Sequence, residues 1–134
     1  MTDVLADTHV IIWYLTEPEN LSSVADKALQ ELANNERPIY ISVVSLIEML
    51  YLAEKVRIAE TVLADLLNLL DKVESPFELL PINLRVFEAM PKISRAAIPD
   101  FPDRIIAATA AAHGLTLITR DRRILEAGVP AIEA

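Results

Sequence analysis

Four acidic side chains carry the chemistry this sequence has to offer: Asp7, Glu48, Asp103 and Asp121. Asp7 follows the short apolar run VLA at 4–6, and Asp121 lies two residues beyond the run LTLIT at 115–119. Glu48 falls in the first turn of the helix expected after the β-branched run IYISVV, and Asp103 opens the helical stretch DRIIAATAAAH. Carboxylates gathered in one place repel one another unless cations join them. A ligand set made only of oxygens suits Mg²⁺, with Mn²⁺ as its substitute, rather than zinc or copper. One or two such ions acidify a water and stabilise a leaving oxygen, and phosphodiester hydrolysis is the natural reaction for that equipment.

Taken singly, each acid has a plainer explanation. Asp7 suits an N-cap, Asp103 the first turn of a helix, and Asp121 a turn or cap. Glu48 makes the sharpest case, because it is the only charged residue between Arg37 and Glu54. A lone carboxylate in so apolar a stretch is costly unless something pairs with it. That partner is a metal ion, or an arginine such as Arg104, or solvent on an exposed helix face.

The elements that must position these acids alternate between strand and helix. VLA is a strand, and THVIIWYL reads as a helix entered through a polar turn with Thr8 as a possible cap. Residues 21–36 form an amphipathic helix capped by Ser22 or Ser23. IYISVV at 39–44 is a buried strand, and Ser45 can cap the helix LIEMLYLAEKV that follows. Helices are expected at 59–73 and 83–90, with a short strand FELLP between them, then a loop punctuated by Pro91, Pro99 and Pro102. The helix at 103–113 stops at Gly114, LTLIT is a strand, DRRILEA a short helix, and GVPAIEA a last edge strand. Strands separated by helices imply a parallel sheet, so the fold class is α/β, a three-layer α/β/α sandwich with a central, mainly parallel sheet. In such sheets functional groups gather beyond the carboxyl ends of the strands, which is where the four acids fall.

Composition narrows the alternatives. The 134 residues suffice for one domain spanning 1–134 with a substantial core. No apolar run approaches a membrane span, and the first residues carry acids where a secretory signal carries bases, so a cytoplasmic protein without a membrane partner is expected. Absence of cysteine removes disulfides and thiolate chemistry, and two histidines make a histidine-rich zinc centre a poor expectation. Two glycines leave no room for a Gly-rich phosphate loop. The formal charge of −8 argues superficially against nucleic acid. Residues 1–84 hold five bases and fourteen acids, however, whereas residues 85–134 hold seven bases and six acids. Any electropositive surface belongs to the last third.

The segments DTHVIIWYL at 7–15, SVVSLIEML at 42–50 and PDRIIAATAAAHGLTLITRD at 102–121 resemble, in order and spacing, the PIN-domain nucleases, specifically the VapC-type ribonuclease toxins of toxin–antitoxin pairs. The resemblance covers nearly the whole chain. It implies an Mg²⁺-dependent endoribonuclease with Asp7, Glu48, Asp103 and Asp121 as catalytic, metal-binding acids, an RNA substrate, a cognate antitoxin over the cleft and a homodimer. Thr8, Ser45 and Thr119 match small hydroxyl positions that could hold metal-bound water or substrate phosphate. Arg104 and Asp100 are further candidates beside the acids. Many relatives read Asp-Pro-Phe-Asp-Arg where this chain reads Asp100-Phe101-Pro102-Asp103-Arg104, an exchange that leaves the role of Asp100 open.

Other residues have structural readings. His9 lies two residues after Asp7 and would face elsewhere on a helix. His113 suits a helix C-terminus, and Trp13 and Tyr14 suit a core or an interface. Arg120, Arg122 and Arg123 either grip phosphates or form a solvated face. Two competing functions are a catalytically weak binding or scaffold protein of the same fold, and a phosphatase using an aspartyl nucleophile. The first gains nothing from a repulsive acid cluster. The second needs a lysine at the site, and the nearest is Lys55, about two turns past Glu48.

Overall fold

The computed structural model describes residues 2–134. Its strands are β1 (Val4–Ala6), β2 (Ile39–Ser42), β3 (Phe77–Leu80), β4 (Thr116–Thr119) and β5 (Ala131–Glu133), in the order β3-β2-β1-β4-β5 with every pairing parallel. The helices are α1 (Thr8–Thr16), α2 (Ser23–Asn34), α3 (Val43–Glu54), α4 (Glu60–Leu70), α5 (Leu84–Ala89), α6 (Phe101–His113) and α7 (Arg122–Glu126), with 3₁₀ turns at Pro18–Asn20 and Met90–Lys92.

Strand alternation sorts the core into two layers. Val4, Ala6, Ile39, Ile41 and Ile118 face Ile11 of α1, Leu29 and Leu32 of α2 and Leu66 of α4. Leu5 and Leu117 face the other way, onto Val86 of α5, Ile106, Ala107 and Ala110 of α6 and Ile124 of α7. The small buried residues of α6 let it lie close to the sheet. Helix α3 closes the flank between the layers, giving Met49 to one cluster and Val44 to the other.

The strand ends turn sharply into helices. The Asp7 N–H extends the ladder to the Ile118 carbonyl at 3.0 Å, while its own carbonyl accepts the first α1 bond, from the Ile11 N–H at 3.1 Å. Its Oδ1 accepts from the Thr8 N–H, so Asp7 and not Thr8 is the N-cap. At β2 the strand stops at Ser42, two residues before the apolar run ends, because the Ser42 hydroxyl accepts from the Val44 N–H and caps α3 there. Ser45 is therefore inside α3, and Glu48 stands in its second turn rather than its first. Helix α6 likewise begins earlier than expected, with Asp100 as N-cap and Pro102 inside the first turn. Asp121 caps α7 by accepting from the Arg123 N–H. Three helix N-termini, those of α1, α6 and α7, thus carry aspartates toward one end of the sheet, where helix dipoles favour negative charge.

Candidate active site

At the carboxyl ends of β1 and β4 lies a cleft of about 390 Å³ lined by Asp7, Glu48, Asp100, Asp103 and Asp121, together with Thr8, His9, Val10, Trp13 and Arg120. Two hydroxyls hold the innermost acids. Thr119, fully buried at the end of β4, donates to Asp7 Oδ2 at 2.6 Å and accepts from the Asp121 N–H at 3.0 Å. Thr8 Oγ1 lies 2.7 Å from Glu48 Oε1 and 3.0 Å from Ser45 Oγ. Having a single proton, Thr8 donates to the carboxylate, which leaves the Ser45 hydroxyl as donor in the second contact.

The electrostatics are those of negative groups short of positive company. Burial pushes the Asp7 carboxyl above its ordinary range, against the pull of its bonds to Thr119 and the Thr8 N–H. Burial also raises Glu48, which the charges of Asp7 and Asp100 push further up while the Thr8 hydroxyl works against them. Asp103 is pushed up to about 8 by burial, then by the charges of Asp7, Asp100 and Asp121. The ion pairs among the described residues, Arg37–Asp3 and Arg122–Glu133, involve none of these five acids.

A model of the PIN domain matches residues 4–130 of the chain. Ribonuclease VapC22 of Mycobacterium tuberculosis is 35% identical over an alignment of 131 positions, with 92% of this chain and 91% of that relative covered. The chain belongs to the PIN domain family. Among solved structures, the DNA-bound VapBC complex of Salmonella typhimurium contains a chain similar to this one with a TM-score of 0.70 at 23% identity, covering 99% of this chain and 98% of the other. FitAcB of Neisseria gonorrhoeae is similar with a TM-score of 0.63 at 26% identity, covering 97% and 96%. The parallel five-stranded sheet is thus the PIN fold.

Within this PIN domain, Asp7, Glu48, Asp103 and Asp121 share one cleft, and Asp100 joins them. The exchanged Phe101–Pro102 pair does not displace Asp103, because Pro102 fits the first turn of α6, where a missing N–H costs nothing. Thr8, Ser45 and Thr119 are each at most 2% exposed, and their hydroxyls are committed to the site's own groups. Thr8 and Thr119 bond the Glu48 and Asp7 carboxylates directly, and Ser45 bonds Thr8. Arg104 points away: its Nε and Nη2 donate to the Ile93 and Met90 carbonyls, both at 3.0 Å, which ties α6 to the 3₁₀ turn after α5. It pairs with no acid and does not line the cleft.

Two residues read as structural line the cleft instead. His9 is exposed at its mouth, and Trp13 forms its wall with the Arg120 guanidinium 4.3 Å above its ring. Their four-residue spacing, starting two residues after Asp7, places both on one helix face and was the signal for this. Tyr14, by contrast, packs edge-on against Phe77 in the core.

Among the described residues no three acidic or histidine side chains already form a metal cage. The donor set nonetheless fits a hard divalent cation: it is all oxygen, it enters neither ion pair found among the described residues, and its charges repel. Glu48 and Asp103 are only half-buried, which leaves their carboxylates free to close on an ion.

Proposed function

We propose that this PIN domain is a metal-dependent endoribonuclease, the toxin of a toxin–antitoxin pair, with Asp7, Glu48, Asp103 and Asp121 as its catalytic carboxylates and Mg²⁺ as its ion. The observation that carries the reading is the convergence of five carboxylates in one open cleft without an ion-paired cation. The ribonuclease activity follows the similarity to VapC22, and the antitoxin partner follows the similarity to the VapBC complex.

Asp7, Glu48, Asp103 and Asp121 would hold the ion, with Asp100 at the rim. A bound Mg²⁺, replaceable by Mn²⁺, supplies acidification of water and neutralisation of phosphate charge. The chain's own part is positioning. Asp7 is fixed by Thr119 on one oxygen and by the Thr8 N–H on the other, so its carboxylate cannot turn. Glu48 is brought to Asp7 by Thr8, the residue that follows Asp7 in sequence. Burial and the charges of Asp7, Asp100 and Asp121 favour the protonated form of Asp103, and an ion competes with that proton for the same oxygens.

Ile47, Leu50 and Tyr51 form an exposed apolar stripe on α3, which supports binding to a protein partner. Induced expression of the chain alone tests the biological reading. Growth should arrest with RNA fragmentation, and co-expression of the neighbouring gene's product should restore growth. Unimpaired growth with intact RNA at high expression would overturn it.

A further inference from the structure

An RNA strand entering this cleft meets five carboxylates, and a bound divalent ion offsets only part of that charge. A phosphate next to the scissile one therefore needs a cation supplied by the chain. Among the described residues Arg120 is the one arginine lining the cleft, since Arg104 is turned onto backbone carbonyls and Arg122 is paired with Glu133. Arg120 is also held in place. Its plane lies over Trp13, its Nε donates to the Ala134 carbonyl at 2.9 Å, and its Nη2 donates to the Asn20 carbonyl. These contacts use one edge of the guanidinium, and no carboxylate takes the N–H groups that remain.

An arginine that is exposed, preorganised and unpaired beside an acidic cleft is out of place as a mere solvated charge. An arginine kept only to fasten Asn20 and Ala134 would have no need of the cleft wall. We propose that Arg120, braced on Trp13, is a substrate-binding residue that grips the RNA phosphate adjacent to the one cut. This rests on the ribonuclease reading and adds to it a defined polarity for the bound strand, with the flanking phosphate on the α1–β4 side of the acids. Bracing lowers the ordering cost of the contact, and the planar fork suits phosphate oxygens better than an ammonium does.

The test compares wild type, Arg120→Gln, Arg120→Lys and a control, Arg85→Gln, which removes the same charge from exposed α5 outside the cleft. Cleavage of a short labelled RNA in Mg²⁺ should show KM raised roughly tenfold or more in Arg120→Gln, with kcat within a few-fold of wild type. Arg120→Lys should fall between, and Arg85→Gln should match wild type. In the Asp103→Asn background, where the RNA stays whole, Arg120→Gln should reduce the slope of log Kd against log salt by about one phosphate contact. Thermal melting of each variant separates folding from binding. If wild type cleaves and Arg120→Gln melts lower while keeping its KM and salt slope, Arg120 only fastens the chain and the proposal is overturned. If wild type cleaves no RNA with any divalent ion, the ribonuclease reading itself fails.

Discussion

The Thr119 hydroxyl and the Asp7 carboxylate meet across 2.6 Å between neighbouring strands, and the same hydroxyl oxygen accepts the Asp121 N–H. One buried oxygen thus sets the position of two acids that lie 114 residues apart in the sequence. Thr119→Val keeps the shape and removes both bonds. It should cost about 1–3 kcal/mol of stability, since a buried carboxylate and a backbone N–H each lose a partner. Cleavage should fall more than tenfold, mostly in kcat. Thr119→Ser should retain most of both. Urea denaturation and initial rates check the pair, and a Thr119→Val enzyme of normal rate would contradict the positioning role.

Protonation gives a second prediction. The folded-state pKa values of Asp7, Glu48 and Asp103 all lie above their unfolded values, Asp103 at about 8. Between the two values the folded chain binds more protons than the unfolded one, so stability must fall as pH rises from about 4 to about 8. In EDTA the melting temperature should drop across that window, and Asp103→Asn should flatten the drop. Because cations and protons compete for the same oxygens, Mg²⁺ should raise the melting temperature more at pH 8.5 than at pH 6. A metal-free melting temperature that climbs from pH 5 to pH 8 would contradict this.

The strand–helix alternation, the parallel sheet and the place of the acids at its carboxyl end were legible because each rests on local pattern. Apolar runs, caps and the rule for parallel sheets suffice for them. What the sequence could not show was the handover from strand to helix. IYISVV has the composition of a six-residue strand, yet the Ser42 hydroxyl captures the Val44 N–H and starts α3 early, moving Glu48 by about a turn. Arg104 was misplaced for a related reason. Its neighbour Asp103 faces the cleft, but residues adjacent on a helix point about 100° apart, and the Met90 and Ile93 carbonyls were free to accept it. Trp13 against Arg120 is a contact between α1 and the turn after β4, more than a hundred residues apart, which no local pattern encodes.

The loop contact of Arg104 is itself testable. Arg104→Leu takes the arginine from the Ile93 carbonyl and leaves the Met90 carbonyl with only its bond from the Ile93 N–H, and should cost about 1–3 kcal/mol. KM for RNA should stay within a few-fold of wild type, as read from initial rates below the melting transition. A large rise in KM with normal stability would return Arg104 to the substrate.

Val56 offers a stabilising change. It closes α3 with φ of 56°, a left-handed backbone that β-branched residues resist, while the Arg57 N–H bonds the Leu52 carbonyl at 2.8 Å. The side chain is 88% exposed and packs against nothing that would repay the strain. Val56→Gly should add about 0.5–1 kcal/mol, the relief of strain less the entropy of a freer unfolded chain. The urea midpoint should rise with no change in cleavage.

The most direct test is cleavage of a labelled pool of transfer and ribosomal RNA by the purified protein in Mg²⁺, Mn²⁺ or EDTA, beside Asp7→Asn and Asp103→Asn. Discrete products with either metal that vanish in EDTA and in both variants are the predicted result. Products that persist in EDTA, or that the two variants yield at the wild-type rate, would contradict a metal-dependent nuclease built on these acids.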